Sequence, residues 1–580
     1  MSYFKTNNIM GKLELSGFDG IDLSTPGIDG KCTDMVNLRI LPDRSVIKRD
    51  GFREVFDFLS NIRAVLTGEF DGEFVAFLVA GSNFYKFNIK KCVVTKLGNI
   101  NSAEGDVSIF FYMGRVYVLD GSTIFEVRGN TLAVTEGYAP LVGKEWGNNY
   151  PGELYEPLNA LTQKGRISYI VDDPPTAFLS TYYAVKEVNA VYVNGILKSA
   201  NTYSLDHRLR ALNVSGLEAG DRVLVYYTFD SDTEQRARVA KNPHAMVFGG
   251  INNSRVFMWG GEEKSRMFVS MPVSMPSLSE AEHEFPNCGG LYFPEHNDFC
   301  VGDGMHEIKA VSRHYDRLLI FTSGETWMAD SEVSSSQSFP LTRINTDLGC
   351  ASLRGVAKCG NDPISVGHRD IFRWTSNTDT LEDCNAYVIS DKIKDALPED
   401  FFANTEVFTD KHNGEVLFSY KSDKDGRVFV YSIASGAWYI YNGMSVDHFF
   451  EGERSLGFTS GSRFYLFERG YTADVFLDGR RSEIPAYASY SQSGFGHPTR
   501  KKRIASVMGV GELCGGALSV SFESERGDVN TLSFGGNDPG RVECFYKRVR
   551  SERFLNSRMT ISADPTRQQR IYSLSVSTRA

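Results

Sequence analysis

Few residues of this 580-residue chain have the types and the spacing that metal or catalytic chemistry requires. Asp303, which lies between two glycines, and the pair Asp230 and Asp232 could offer loop oxygens to Ca²⁺, but acidic turn residues are far commoner than calcium sites. His306 and His314 lack a second ligand at zinc-site spacing. The motifs of phosphate-binding loops, zinc proteases, serine hydrolases and dinucleotide-binding folds are absent. The sequence therefore predicts no metal site, no cofactor and no catalytic residue.

The charged residues that stand out form two basic runs in the last part of the sequence. They are candidate contacts with DNA or with an acidic face of a partner ring: Arg500, Lys501, Lys502, Arg503, Lys547, Arg548 and Arg550. The alternative is a solvated loop and an ordinary strand face. Side chains of a strand alternate between its two faces, so Arg548 and Arg550 would point away from the side of Lys547. That arrangement would disperse the charge.

The composition limits the possible functions. The formal charge of −10 and the pI of about 5.6 argue against a protein that reads nucleic-acid sequence, because such a protein needs a basic surface. An acidic wall is compatible with a conduit along which DNA slides, because a wall rich in lysine and arginine would hold the DNA through its phosphates. No apolar run is long enough to span a bilayer, and the first residues lack a signal-peptide core. Nine scattered cysteines favour synthesis in a reducing cytosol, with Cys92 and Cys544 expected in the core.

The elements that must position these residues are β-hairpins of one type. In Arg115–Val127, two β-rich runs flank Asp120-Gly121, which favours a tight turn because glycine adopts positive φ without penalty. The same unit recurs at 74–87, 255–268, 317–328, 364–374, 415–431 and 456–467. A lone hairpin is marginal in water, whereas sheets stacked around an axis bury their apolar faces. We predict an all-β, degenerate six- or seven-bladed β-propeller; the alternatives are an extended β-sandwich or several small β-domains.

The spacing of the hairpins predicts two further domains. Phe125 and Phe268, in the second strands of consecutive hairpins, are 143 residues apart, far more than the roughly 40–50 residues of a blade. Val188–Gly195, a strand that enters an Asn-Gly turn, and Arg222–Tyr227 indicate a small Ig-like β-domain inserted there. Short strands after about Arg503 indicate a C-terminal β-sandwich, preceded by a stretch without a clear strand.

The predicted organisation is a propeller with an insertion and an extension. Its parts are an irregular N-terminal segment that joins the propeller (1–60), the first part of the propeller (61–145), the inserted β-sandwich (150–235), the second part of the propeller (236–475) and the C-terminal β-sandwich (476–580). Two short helices are expected at Leu278–Glu284 and Asp391–Ala396, and Trp438 is expected in a blade core.

Short elements near the start of the chain carry a resemblance to a known family. They follow a series of glycine-containing turns and are, in order, Asn37-Leu38, Lys48-Arg49 and Gly51-Phe52. In this order, residues 19–53 resemble the opening of bacteriophage tail proteins of the nozzle or hub type, also called packaged-DNA stabilisation proteins. The segment Phe339–Cys350 resembles the same family, and the inserted domain resembles Ig-like modules of phage tail and tail-fibre proteins.

The resemblance implies a structural virion protein of the tail, made in the host cytoplasm and without enzymatic activity. It would be a nozzle, hub or head–tail ring subunit that lines or closes the DNA channel and docks other tail and connector proteins. The resemblance implies a closed homo-oligomer, a hexamer in many such proteins, around packaged DNA whose sequence is not read. No membrane span is expected. A closed ring requires heterologous interfaces, for which the inserted and C-terminal domains are the candidates.

Two alternatives differ in kind from a structural subunit. The first is a propeller tail protein that binds a receptor or glycan through an aromatic rim, without catalysis. The second is a propeller hydrolase. Ser323–Trp327, Ser-Gly-Glu-Thr-Trp, is similar to the end of the repeated sialidase box S-x-D-x-G-x-T-W, but it lacks the aspartate and has no second copy. A glycosidase also needs two carboxylates about 5–10 Å apart, so the hydrolase is the least favoured interpretation.

Overall fold

The computed structural model describes the chain except for residues 1–8, 25–29, 148–150, 173–176, 179–184, 208–210, 230–232, 250–253, 272–289, 331–339, 378–381, 421–425, 537–539 and 580. Its first five strands are β1 (Ile9–Leu15), β2 (Cys32–Val36), β3 (Leu38–Ile40), β4 (Val46–Lys48) and β5 (Phe52–Asp57). The prediction that residues 1–60 are irregular is therefore wrong. Of these short strands, β1, β2, β4 and β5 pair with strands from the last third of the chain, so local patterns did not reveal them, and β3 pairs with β4.

Seven four-stranded antiparallel units form the blades of a β-propeller; five are separate sheets, and blades 6 and 7 each belong to a larger sheet. Blades 1 and 2 consist of β6 (Ile62–Phe70), β7 (Glu73–Ala80), β8 (Asn83–Asn88) and β9 (Val93–Asn99), and of β10 (Ser108–Tyr112), β11 (Arg115–Leu119), β12 (Ile124–Arg128) and β13 (Thr131–Val134). The inserted domain that follows contains β14 (Leu141–Trp146), β15 (Pro151–Leu154), β16 (Lys164–Ile170), β17 (Ala177–Phe178), β18 (Val185–Val193), β19 (Ile196–Leu197), β20 (Tyr203–Asp206), β21 (Ala211–Val214) and β22 (Arg222–Phe229). Helix α1 (Thr233–Ala240) returns the chain to the propeller.

The remaining blades follow one another along the chain. Blades 3 to 5 consist of β23 (His244–Phe248), β24 (Arg255–Trp259), β25 (Arg266–Val269) and β26 (Asp298–Cys300); β27 (Ile308–His314), β28 (Arg317–Thr322), β29 (Thr326–Asp330) and β30 (Leu341–Asn345); and β31 (Val356–Cys359), β32 (Asp362–Val366), β33 (Ile371–Asn377) and β34 (Glu382–Val388). A single-turn helix, α2 (Phe401–Asn404), precedes blade 6, which consists of β35 (Thr405–Asp410), β36 (Glu415–Tyr420), β37 (Val428–Ser432) and β38 (Trp438–Tyr441). Blade 7 contains β39 (His448–Glu451), β40 (Leu456–Ser460) and β41 (Arg463–Phe467), and its fourth strand is β5 from the start of the chain.

The blades close around an axis. The first strand of blade 1, β6, lies beside β39 of blade 7 and β10 of blade 2, and β10 lies beside β23. On the other side, β31 lies between β27 and β35, and β35 lies beside β39. Blades 3 and 4 share a core that includes Phe257 and Ile320. Since β5, from the start of the chain, pairs with β41 of blade 7, the two ends of the propeller are joined by backbone hydrogen bonds.

The second strand of a blade is buried on both faces, which explains its continuous apolar sequence. In β28, Leu318 and Ile320 pack against blade 3, whereas Leu319 and Phe321 pack against blade 5. Because side chains alternate between faces, one strand contributes to two interblade cores. Each full burial of a leucine, isoleucine or phenylalanine side chain contributes about 1.5–3 kcal/mol. Stacking of blades is therefore the main source of stability of the propeller.

All seven predicted hairpins form, and each supplies the second and third strands of one blade. The all-β propeller prediction is confirmed, with seven blades. Trp438 is buried, as expected. In the hairpin at Arg115–Val127, the Asp120 carboxylate accepts hydrogen bonds from the amides of Ser122 and Thr123 at 2.9 and 2.7 Å, while Gly121 has a φ of 75°. Cys92 and Cys544 are exposed, so their predicted place in the core is wrong: Cys92 lies in a turn and Cys544 on an edge strand.

The inserted domain lies between blades 2 and 3 and has its own core. Its strands form a six-stranded sheet in the order β15-β14-β16-β22-β18-β19 and a three-stranded sheet in the order β17-β21-β20. The core contains Ile167, Val191, Val225 and Tyr227. At the predicted turn, Asn194 and Gly195 have φ values of 48° and 77°, as a two-residue hairpin turn requires.

The C-terminal sandwich is built from both ends of the chain. After β42 (Ala473–Val475) and β43 (Arg481–Glu483), which extend blade 7, its strands are β44 (Ala486–Tyr490), β45 (Arg503–Glu512), β46 (Ala517–Ser524), β47 (Val529–Gly535), β48 (Glu543–Arg548), β49 (Ser557–Ala563) and β50 (Arg570–Arg579). One sheet contains β1, β3, β4, β50, β45 and β48, and the other runs β2-β44-β49-β46-β47 and continues through β38 into blade 6. The stretch before Arg503 was predicted to lack a strand, and β44 corrects this. β44 pairs with β2 from the other end of the chain, so the sequence around β44 alone does not predict the strand.

Of the two predicted helices, Leu278–Glu284 lies outside the described residues. Within Asp391–Ala396, only Lys394–Ala396 is helical, as a 3₁₀ turn. Pro398 limits a longer helix, because the residue before a proline is disfavoured in the helical conformation.

Candidate functional site

The two basic runs meet at one end of the C-terminal sandwich. The backbones of Lys502 and Phe554 exchange two hydrogen bonds of 2.9 Å, and the Val549 amide donates to the Ala505 carbonyl at 3.0 Å. Residues 500–505 therefore lie alongside residues 549–554. This end of the sandwich exposes six cationic side chains, which we call the basic end: Arg500, Lys501, Arg503, Arg548, Arg550 and Arg553. Five of the six were predicted contact residues, and Arg553 is added by the fold.

The basic end lies at one end of the long strands β45 and β50. Arg503 is the cross-strand partner of Arg579 at this end of the β45–β50 pair, and Glu512 is the partner of Arg570 at the other end. Arg570 Nε donates a hydrogen bond to the Ser45 hydroxyl at 2.9 Å. Ten-residue strands span about 30 Å. The basic end is thus about one strand length from the contact between Arg570 and Ser45.

The cations of the basic end are not neutralised within the described part of the chain, where no ion pair involves any of the six. Arg548 Nε lies 3.3 Å from the hydroxyl of Tyr546 and donates to it. The nearby carboxylate of Glu525 accepts hydrogen bonds from the backbone amides of Leu555 and Asn556 at 3.1 and 3.2 Å. The positive charge is therefore available to an external partner.

Two of the predicted contact residues have other surroundings. Lys502 is fully buried, and its ammonium donates to the carbonyls of His497, Arg500 and Leu555 at 2.6, 3.1 and 2.7 Å. Its assignment as a contact residue is wrong, because its ammonium ties three backbone segments together inside the sandwich. Lys547 is exposed, although Val549 two residues later is buried. Its ammonium donates to the Ser533 carbonyl at 3.3 Å, on the neighbouring edge strand β47.

A second polar cluster lies at one end of the propeller axis. Arg354 precedes β31, Glu406 is the second residue of β35, and His448 is the first residue of β39. The Glu406 carboxylate lies 3.1 Å from Arg354 Nη1 and 2.8 Å from His448 Nδ1, and it also accepts the Phe449 amide at 3.2 Å. A cavity of about 250 Å³ opens beside them, lined by residues of blades 1, 2, 3, 6 and 7.

His244, the first residue of β23, borders the same cavity and stacks on Trp259 with ring centroids 5.8 Å apart. Burial lowers the pKa of His244 to about 4; Asp106, 3.9 Å away, opposes this shift but does not offset it. The imidazole is therefore neutral near pH 7. The charged groups of the cluster come from different blades and bond to one another. This geometry favours a structural role, in which the cluster stabilises the propeller near its axis.

Sequence reasoning missed this cluster because its members are single residues from different blades. One signal was present: His244 and His448 each begin the first strand of a blade, and Glu406 is the second residue of such a strand. An alignment of the seven units on their hairpins would have placed these polar residues at equivalent positions. Such positions meet at the axis of a propeller.

The candidate metal and hydrolase residues have structural roles where they are described. Asp303 Oδ1 accepts the Met305 amide at 3.0 Å within a turn. His314 is buried, with Nδ1 2.9 Å from the Asn361 carbonyl and Nε2 2.7 Å from the Ser376 hydroxyl. Glu325, in the sialidase-like segment, accepts the Trp327 indole N–H at 2.9 Å. Asp230 and Asp232 lie outside the described residues. The described part of the chain contains no cluster of three or more potential metal ligands.

The elements that carry the family resemblance form a buried clasp, which we define as Asn37, Lys48, Arg49, Phe52 and Asp474. Arg49 Nη1 and Nη2 lie 2.9 and 2.8 Å from the two carboxylate oxygens of Asp474, and Nε donates to Asn37 Oδ1 at 2.9 Å. Both charged side chains are almost inaccessible. Asn37 has a φ of 54° and donates through Nδ2 to the Pro485 carbonyl at 2.8 Å.

The clasp joins the propeller to the sandwich. The Lys48 ammonium donates to the Pro565 carbonyl of the sandwich at 2.6 Å and to the Thr472 carbonyl beside blade 7 at 3.2 Å. Phe52 packs edge-on against Phe458 and Tyr465 of blade 7, with centroids 5.1 and 5.4 Å apart. The residues of the resembling segment therefore fix the relation between two domains and are unavailable for chemistry.

Comparisons with known proteins give no sequence match and only weak structural similarity. No protein-family model and no curated protein sequence matches the chain. Among solved structures, it is similar to the WD40 domain of SCAP from fission yeast, with 8% identity, a TM-score of 0.32 and coverage of 72% of this chain and 97% of that chain. It is also similar to BBS1N in complex with ARL6DN (11% identity, TM-score 0.34, coverage 73% and 98%) and to the AfRom2 CNH domain (7%, 0.34, 72% and 99%). The described helices include none that is long and apolar enough to cross a bilayer.

Proposed function

We propose that this chain is a structural subunit of a bacteriophage tail, of the nozzle, hub or head–tail ring type, which assembles with copies of itself around the DNA channel. The resemblance implies a homohexamer located in the virion, with other tail and connector proteins as partners. We assign no catalytic role to it. DNA would pass the assembly without having its sequence read.

The observation that carries the proposal is the clasp. The short elements that resemble the opening of nozzle and hub proteins are the residues that lock the propeller to the C-terminal sandwich, through Arg49 and Asp474. A resemblance confined to surface residues would carry little weight, whereas these residues determine the architecture. A rigid connection between domains suits a subunit that must keep its shape while other proteins and DNA press on it.

The electrostatics supports the same proposal. Apart from the basic end, the chain is strongly acidic, and an acidic wall does not retain a polyanion. The inserted domain and the C-terminal sandwich project from different parts of the propeller, because one follows blade 2 and the other continues from blade 6. Such an arrangement provides two separate surfaces, as a heterologous ring interface requires.

The test is the oligomeric state of the purified chain. Light scattering after gel filtration at about 50 mM salt should give a mass near six times 64.7 kDa, and negative-stain micrographs should show rings with an open centre. A monomer over a wide range of protein concentration and salt would contradict the proposal.

A second candidate function, binding of a receptor glycan, is favoured by one groove. It has a volume of about 550 Å³, lies between the inserted domain and blade 3, and is lined by Leu154, Tyr155, Glu156 and Glu295, among others. Leu154 and Tyr155 are 61% and 50% exposed, and an exposed aromatic ring near the Glu295 carboxylate suits a sugar face and its hydroxyl groups. Retention on a glycan array that is lost in Tyr155→Ala, but not in the exposed-site control Tyr471→Ala, would favour this function.

A further inference from the structure

We infer that the basic end is a docking surface for a second copy of this chain and that it contacts the acidic body formed by residues 1–475 of the neighbouring copy. The inference rests on the proposed function, since it specifies which surface makes the contact between subunits. It goes further by naming the residues and the chemistry of that contact.

The first argument is the uneven distribution of charge. Residues 476–580 contain 16 lysines and arginines and 10 aspartates and glutamates, a formal charge of +6. Because the whole chain carries −10, residues 1–475 carry −16. Every copy therefore presents both members of a complementary pair of surfaces, and unlike surfaces attract copies head to tail.

The second argument is the placement of the positive charge. Six cations without an ion pair in the described part of the chain lie together at one end of the sandwich. A cationic patch folded back against the chain's own propeller would be neutralised there. An exposed patch without ion pairs can bind another molecule, and a contact between unlike surfaces of identical subunits is the type that generates rings.

The third argument concerns the choice between DNA and a second copy of the chain as the partner of the basic end. Non-specific DNA binding also needs clustered cations, but the −16 charge of the remaining chain would repel the phosphate backbone. The basic end presents strand ends and a loop, with Glu552 exposed among the cations. It contains no helix that could enter a groove. A protein surface with mixed, mainly acidic character is the better complement.

The main experiment reverses charge at the basic end of the full-length chain. The triple variant Arg500→Glu, Lys501→Glu and Arg503→Glu changes only exposed side chains and should raise the dissociation constant of the assembly about tenfold or more, because attraction becomes repulsion. The matched control is Lys90→Glu, Lys96→Glu and Arg454→Glu, three exposed cations of the propeller. The control has the same net charge and should assemble like the wild type. Circular dichroism checks that both variants fold.

The second experiment identifies the partner surface directly. A carbodiimide joins an ammonium to a carboxylate only when the two are in contact, and a mixture of ¹⁴N- and ¹⁵N-labelled chains separates links between copies from links within one copy. Lys501 should form links between copies, with aspartates or glutamates of residues 1–475. Lys502 is an internal negative control, because its ammonium is buried.

The outcomes separate this inference from the proposed function. Rings that persist unchanged in the triple variant, with no link between copies at Lys501, would overturn the inference and leave the proposed function standing. A wild-type chain that remains a monomer would overturn both. If the triple variant assembles normally but loses retention on a 30-base-pair duplex at low salt, the basic end binds DNA and the inference is wrong.

Discussion

At the scale of single residues, buried charges carry the most testable energetics. The Arg49–Asp474 pair is 2% and 6% exposed, respectively, and removal of one member leaves the other charge buried without compensation. We expect Arg49→Met to destabilise the chain by about 3–5 kcal/mol, measured as a shift of the urea unfolding midpoint. The control is Arg53→Met, whose pair with Glu468 is 39% and 33% exposed, and which should cost about 1 kcal/mol or less. Equal effects of the two variants would show that the clasp is not specially stabilising.

The buried histidine predicts a pH dependence. Burial lowers the pKa of His244 to about 4 in the folded chain, whereas an unfolded histidine has a pKa of about 6.5. The unfolded chain therefore binds the proton more readily, so stability is complete above pH 6.5 and is lost as the pH falls towards 4, by an amount of the order of 3 kcal/mol. The charged groups that act on it are Asp106, Arg354, Lys264 and Glu307.

The measurement for His244 compares unfolding midpoints at pH 7 and pH 4.5. His244→Gln cannot take up the proton and should lose less stability over this interval than the wild type. His497→Gln, a change at an exposed histidine, should lose as much as the wild type. An identical loss in all three proteins would show that other groups govern the acid sensitivity.

At the scale of elements, closure of blade 7 depends on close approach of β5 to its neighbours. Gly51 donates to the Tyr471 carbonyl at 2.8 Å, and a methyl group at this position would overlap the Ala473 carbonyl oxygen. Gly51→Ala should therefore destabilise the chain by about 1–3 kcal/mol. Gly535→Ala, in β47, adds a methyl group with nothing within 4 Å and should be nearly neutral. Thermal unfolding of both variants tests this, and similar melting temperatures would contradict it.

The propeller could be predicted because its information is local. Each hairpin is encoded by two β-rich runs and a turn within about 15 residues, and repetition of the unit implies radial stacking. The strands β1, β2 and β4 could not be predicted in this way, since their partners β44 and β50 are encoded more than 400 residues later. The basic end was predicted in part. The sequence showed the two basic runs, but their proximity in the fold and the burial of Lys502 depend on pairing between distant segments.

At the scale of the whole molecule, the two added domains should behave differently when they are separated from the propeller. The core of the inserted domain consists of its own residues. The core of the C-terminal sandwich is continuous with blades 5 to 7, so that Val520 and Ile561 belong to the same cluster as Val416 and Phe458. A chain that ends at 475 should therefore be insoluble, because β2 and blade 6 lose their cover. A fragment of 138–235 should be soluble and folded.

Circular dichroism and gel filtration of the two truncated proteins test this difference, and limited proteolysis of the full chain provides an independent check. Proteases should not release a stable C-terminal fragment that begins near 476. Recovery of a soluble, folded chain of 1–475 would show that the sandwich folds as a separate domain, as the sequence pattern suggested.

The exchange of strands between the two ends of the chain has a consequence for synthesis. β5 leaves the ribosome early, yet its partner β41 follows only after about 400 more residues, which takes roughly 20–80 s at typical translation rates. Throughout that interval the first sixty residues carry strands without partners, and unpaired strands invite association with other nascent chains. Productive synthesis therefore depends on how well the cell shields this leading segment until the last strands emerge.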